Sequence, residues 1–212
     1  MLKDKKLTFI LPLLFLLLVT SVAQGADFEQ PIYSFDVPSE GYAQVMFDQG
    51  YNLYQEGRKE EAIQFFVEAV TTKPNFTKAW FWLARTYQEE EMIDEAIWAW
   101  KKVVQLEPDN TQAKYFLEKC ENWKKYGKDA WENYEQGYLK FENKDYSAAI
   151  KLFQQAISIN PNMDKAYYWL GMAYFETKDY QNAIRALEKY LSLQPNDKAA
   201  QYWLKEAKAR AK

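Results

Sequence analysis

Histidine is absent from this 212-residue chain, and cysteine occurs once, as Cys120. Without an imidazole there is no Ser-His or Cys-His nucleophile pair and no histidine metal ligand. A single thiol can neither close an intramolecular disulfide nor build a thiolate zinc cage. Most enzyme classes are thereby excluded, and no metal or cofactor is expected. Glycine and proline are also scarce, at seven each, which argues against many short strands joined by tight turns and for long helices. There is no phosphate-binding glycine loop and no nucleophile elbow. Basic residues hold no majority either: 27 Lys and Arg stand against 30 Asp and Glu, so nucleic acid is not an expected partner.

What is present begins with Lys3, Lys5 and Lys6, followed by an apolar run from Leu7 to Val19 and small or polar residues through Ala26. Residues 1–25 read as a secretory signal peptide, cleaved after Ala23 or after Gly25. The rival is an uncleaved anchor over residues 7–22, although Pro12 interrupts a run shorter than the roughly 20 residues that span a bilayer. No cysteine follows to take a lipid. The protein is expected to be exported, to the periplasm or an extracellular face, with membrane contact only if the segment stays. Loss of residues 1–25 would take the formal charge from −3 to −5. Residues 26–42 read as an extended leader or linker, in which Pro31 and Pro38 bracket the alternating stretch Ile32–Val37.

The remaining prolines stand at 74, 108, 161 and 195, at intervals of 34, 53 and 34. Twelve residues before each is an alanine (Ala62, Ala96, Ala149, Ala183), and eight before is a large apolar residue (Phe66, Trp100, Phe153, Leu187). Twenty-four before is Gly50, Ala84, Gly137 or Gly171. Small residues facing bulky ones are what close helix crossing requires, and the prolines stop the second helix of each hairpin.

On these residues the chain resembles the tetratricopeptide repeat family, over residues 43–212. The units run 43–76, 77–110, 130–163 and 164–197. Trp80, Leu83, Ala84, Tyr87, Ala96 and Pro108, and likewise Tyr167, Leu170, Gly171, Tyr174, Ala183 and Pro195, match the family pattern best. Gln49, Gln136, Leu53 and Lys140 depart from it. The resemblance implies an all-α solenoid of helix-turn-helix repeats that binds other proteins or peptides.

A shift of 87 residues lays Gln49-Gly50-Tyr51 on Gln136-Gly137-Tyr138 and Trp82-Leu83 on Trp169-Leu170, so the array is a duplicated module. Module 1 covers 43–126 with an extra helix at 111–126, and module 2 covers 130–212 with a capping helix at 198–212. Between them, apolar spacing stays in helical phase from Phe116 to Phe141. Either one long helix joins the modules, or Gly127 breaks it as a C′ glycine with Asp129 as the next N-cap.

The aromatics number 37. One stripe of each first helix packs on its partner. A second face carries Phe47, Tyr51, Tyr54, Phe81, Tyr115, Trp131, Tyr134, Tyr138, Phe141, Tyr168, Phe175 and Tyr202, and in the resembled family this face lines the concave groove. These rings are either packed between neighbouring first helices or free to grip a peptide or partner protein, and a glycan is the alternative ligand. Lys78, Arg85, Lys119 and Lys165 are the basic side chains on this face. The family's carboxylate-clamping mode is poorly matched by Phe47, Tyr51, Phe81 and Arg85. Cys120 is expected to be a buried filler, and Glu89-Glu90-Glu91 a solvated surface run. The reading is a non-catalytic interaction scaffold of the cell envelope.

Overall fold

The computed structural model describes residues 39–212. The signal segment, and the leader as far as residue 38, lie outside the described residues. Ten helices follow one another: α1 (Ser39–Gln55), α2 (Lys59–Thr72), α3 (Thr77–Glu89), α4 (Ile93–Leu106), α5 (Thr111–Tyr126), α6 (Lys128–Glu142), α7 (Tyr146–Ile159), α8 (Asp164–Glu176), α9 (Tyr180–Leu193) and α10 (Lys198–Arg210). No strand occurs among the described residues. The first helix begins at Ser39, four residues before the expected boundary at 43.

Local chemistry accounts for the helix ends. Each second helix stops two residues before its proline, at Thr72, Leu106, Ile159 and Leu193. The intervening Lys73, Glu107, Asn160 and Gln194 have ψ of 87°, 80°, 97° and 71°, out of the helical range as a residue before proline must be. Asn110, Asp145, Asp179 and Asp197 accept the backbone N–H three residues on, at 2.8, 3.2, 3.2 and 3.0 Å, satisfying helix-start donors. The turn after each first helix places one residue in the left-handed region. That residue is Gly57 in the first unit, and Glu91, Lys144 and Lys178 at the matching position in the others.

Helices pair as hairpins, α1 on α2, α3 on α4, α6 on α7 and α8 on α9, and each second helix also packs on the next first helix. First helices touch their neighbours, α1 on α3, α6 on α8 and α8 on α10. The small-against-large pairing stands as read. A Cβ on Gly50 would lie 2.9 Å from the Phe66 ring, and one on Gly171 would lie 2.7 Å from Leu187.

Between the modules Gly127, with φ +87° and ψ 143°, ends α5 and starts α6, so the long-helix alternative falls. Asp129 is not the N-cap. It sits in the first turn of α6, and no side chain caps that helix. The junction has its own core of Trp123, Tyr126, Ala130, Trp131, Ala156, Met163 and Ala166, with Ile93 against it. Tyr126 donates to Asp164 at 2.6 Å, Gln194 donates to the other Asp164 oxygen at 2.6 Å, and Asn160 donates to the Tyr126 carbonyl at 2.8 Å. One break residue thus turns the chain, and a polar clasp with an apolar core holds α5 against α7, α8 and α9.

Candidate functional site

Three of the rings expected on the exposed face are core. Phe47 is 1 % exposed, beneath Phe66 and Phe76 at centroid distances of 5.8 and 5.3 Å. Trp131 is 6 % exposed, because the Tyr126 ring lies parallel to it at 6.0 Å and the Lys165 ammonium stands 5.0 Å above it. Phe175 is 7 % exposed, covered by Trp203 at 5.2 Å, Tyr180 at 5.5 Å and the Arg210 guanidinium at 4.9 Å. These rings stabilise neighbouring helices and present nothing to a partner.

Others are half-buried supports. Phe81 meets Trp100 edge-on at 5.0 Å, and Tyr168 meets Trp169 and Tyr190 at 5.3 and 5.2 Å. Tyr134 sits between Trp131 and Phe153 at 4.8 and 6.1 Å, and burial pushes its hydroxyl up to about 12.

Four of the six remaining predicted rings, Tyr115 and Tyr202 aside, gather at two seams between first helices, each centred on a tryptophan at the same repeat position. In the first seam Tyr51 and Tyr54 of α1 stand 4.8 and 5.0 Å from Trp82 of α3, at 73° and 64°. In the second, Tyr138 and Phe141 of α6 stand 4.8 and 5.0 Å from Trp169 of α8, at 73° and 63°. The arrangement therefore recurs 87 residues on. Trp82 and Trp169 were not among the expected face residues, yet they organise it, and their coincidence under the 87-residue shift was the signal. Edge-to-face geometry of this kind is favourable beyond area burial. Tyr138 keeps 37 % of its surface open.

Arg85 belongs to the first seam. Its guanidinium lies 5.3 Å from the Trp82 ring, and its Nε donates to Glu89 at 3.0 Å. Glu89 also accepts from Tyr54 at 2.8 Å and pairs with Lys59 at 2.9 Å. Burial alone would raise the Glu89 carboxyl, but hydrogen bonds from Lys59, Arg85 and Tyr54 outweigh it and hold the group below its usual range. The acidic run is therefore not a plain solvated surface. Glu90 reaches Lys59 at 3.7 Å, and Glu91 pairs with Lys128 at 2.5 Å, tying the α3–α4 turn to the start of α6.

At the module junction the positions that hold tyrosine and tryptophan in the seams hold Lys119 and Glu135, paired at 2.8 Å. Tyr115, 52 % exposed, points its hydroxyl at Glu135 from 3.5 Å. Lys78 stands 4.7 Å above the Phe47 ring and, like Lys165, makes no ion pair among the described residues. Cys120 is buried, with its sulfur 3.5 Å from Gln88, and burial pushes the thiol up to about 12. Among the described residues no group of His, Cys, Asp and Glu could hold a metal ion.

A family model described as tetratricopeptide repeat matches residues 53–120 and 140–211. A TPR repeat-containing protein of Methanocaldococcus jannaschii is 29 % identical over 115 residues, covering 53 % of this chain and 20 % of that protein. The chain thus matches about a fifth of the length of this curated relative. Among solved structures, MamA is similar at 25 % identity over 80 % of this chain and 82 % of its own, with a TM-score of 0.35. YrrB, described as a TPR protein with an unusual peptide-binding site, is similar at 18 % identity over 76 % and 90 %, with a TM-score of 0.41.

Proposed function

Because the chain belongs to the tetratricopeptide repeat family, we propose that it is a non-catalytic scaffold of the cell envelope, which binds a segment of another protein across its two tryptophan seams. The carrying observation is the recurrence of one ring arrangement, Tyr51-Tyr54-Trp82 and Tyr138-Phe141-Trp169, with a partly open tyrosine in each. A purely structural role does not require a ring as open as Tyr138, which is 37 % exposed. Tyr138 instead offers a rigid, amphipathic contact of the kind that anchors interfaces at low entropic cost. Export to the periplasm or an extracellular face rests on the basic start and apolar run of residues 1–25.

Each seam tryptophan already carries two rings within 5.0 Å, so part of its surface is covered, which favours a peptide over stacking on a sugar. Peptide libraries set against glycan arrays test the choice. Binding of peptides that Tyr138→Ala weakens at least tenfold, with folding intact, is the expected result. Retention on glycans alone would replace the protein partner with a cell-wall ligand. A photo-crosslinker at position 138, in cells, should give a protein adduct that the same group at Trp98, on α4, does not.

A further inference from the structure

The two seams share their rings but not their charges. Under the 87-residue shift Arg85 falls on Met172, Lys59 on Tyr146, Gln55 on Glu142 and Tyr54 on Phe141. In the first seam Arg85 lies over Trp82 with 46 % of its side chain exposed, and Lys59 stands beside it, with Glu89 and Glu90 as their acidic partners. In the second seam both cations are gone. Met172 is buried, and Tyr146 fills the place of Lys59 by packing on Phe141 at 5.3 Å. Two carboxylates, Glu142 and Glu176, remain on α6 and α8 without an ion pair among the described residues. Burial, and then the charge of Glu142, push the Tyr138 hydroxyl up, so Glu142 acts on the open ring of this seam. Between the seams lies the closed Lys119–Glu135 pair, which divides the face into two subsites.

Keeping the rings while Met172 and Tyr146 replace the two cations and Glu142 replaces Gln55, with Glu89 retained as Glu176, changes the charge beside the anchors and leaves the packing geometry alone, as the repeated 4.8 Å and 5.0 Å contacts show. Charge arranged around apolar anchors sets register and rejects wrong partners more than it adds affinity.

We infer that the face is polarised: it takes one extended segment of another protein that carries two bulky apolar anchors, with a carboxylate beside the anchor at the Trp82 seam and a cation beside the anchor at the Trp169 seam. The inference rests on the seam-binding reading above. Three helix-to-helix steps separate Trp82 from Trp169: α3 on α5, where Cys120 meets Gln88, then α5 on α6, then α6 on α8. At about 8–10 Å per step and about 3.3 Å per extended residue, the anchors stand roughly seven to nine residues apart.

Four synthetic peptides of equal length test it, each with two Phe anchors at that spacing. Two are charge-segregated, with Glu beside one anchor and Lys beside the other in either order, and two carry Glu at both anchors or Lys at both. They are titrated by fluorescence anisotropy against the whole chain. At least one segregated peptide should bind at least tenfold tighter than both like-charged ones. In Arg85→Met with Glu142→Gln, where two exposed residues take their counterparts from the other module, the preference should fall to within about twofold. Arg85→Met alone should weaken only peptides bearing Glu, and serves if the pair folds poorly. Equal binding of all four peptides overturns the polarised reading while leaving the seams as a peptide site. Failure of every two-anchor peptide to bind, with the fold intact, overturns both.

Discussion

The Cβ that Gly137 lacks would stand 2.8 Å from two carbons of the Phe153 ring and 3.2 Å from Leu152 Cβ. Phe153 is fully buried, so its ring has nowhere to retreat. Gly137→Leu should therefore destabilise by about 1–3 kcal/mol through overpacking, read by urea denaturation. Unchanged stability would mean that α6 and α7 do not cross at this residue.

Lys144 and Lys178 hold φ of 60° and 63° where the first unit has Gly57. A non-glycine residue there costs roughly 1–2 kcal/mol. Lys144→Gly and Lys178→Gly should each stabilise by about 1 kcal/mol and raise Tm by roughly 2–4 °C in a domain of this size. A fall in Tm at both sites would refute the assigned turn.

Tyr126→Phe removes the hydroxyl that donates to Asp164 at 2.6 Å across the module junction and should cost about 1–3 kcal/mol at neutral pH. Burial by itself would raise the Asp164 carboxyl. Hydrogen bonds from Tyr126, Gln194 and the Lys165 N–H outweigh that and hold it below the usual range. A carboxyl depressed in the folded state contributes stability above its unfolded pKa, near 3.9, and loses it as pH falls through the folded value. The gap between wild type and Tyr126→Phe should thus be constant from pH 5 to 7 and narrow below about pH 4. A gap that widens in acid would contradict the clasp.

Cys120, buried and with its thiol pushed up to about 12, should resist alkylation in the folded protein at pH 8 and react fully in denaturant. Fast labelling of the native chain, followed by mass spectrometry, would place it at the surface.

Tyr138 and Phe141 part company. Phe141 is half-buried against Trp169 and Tyr146 at 5.0 and 5.3 Å, whereas Tyr138 is open on one side. Phe141→Ala should lower stability by about 1–2 kcal/mol and Tyr138→Ala by less than about 1 kcal/mol. Equal losses in thermal melts would make Tyr138 a core residue and remove it from the binding face.

Much of the fold was legible because its signals are local or periodic. Pro74, Pro108, Pro161 and Pro195 lie two residues past a helix end wherever the chain is described, since proline and its predecessor restrict backbone angles without regard to tertiary contacts. The pairs Gly50 with Phe66, Gly137 with Phe153 and Gly171 with Leu187 are likewise set by register inside a hairpin. The face was less legible. Trp82 and Trp169 escaped it because they lie one position beyond Phe81 and Tyr168, and only packing of α1 on α3 and α6 on α8 turns them toward the tyrosines.

The residues by themselves determined the all-helical repeat and the crossing positions, because each depends on spacing along one or two consecutive helices. Tertiary structure decided which rings see solvent. Tyr54, Phe141 and Phe175 hold the same repeat position, yet only Phe175 is buried, since Trp203 and Arg210 of α10 close over it. It also decided the break at Gly127, which helical phase alone left open, by placing Tyr126 against Asp164. Exposure depends on what the next helix lays across a side chain, and that neighbour is set by the folded array and by no spacing within the helix itself.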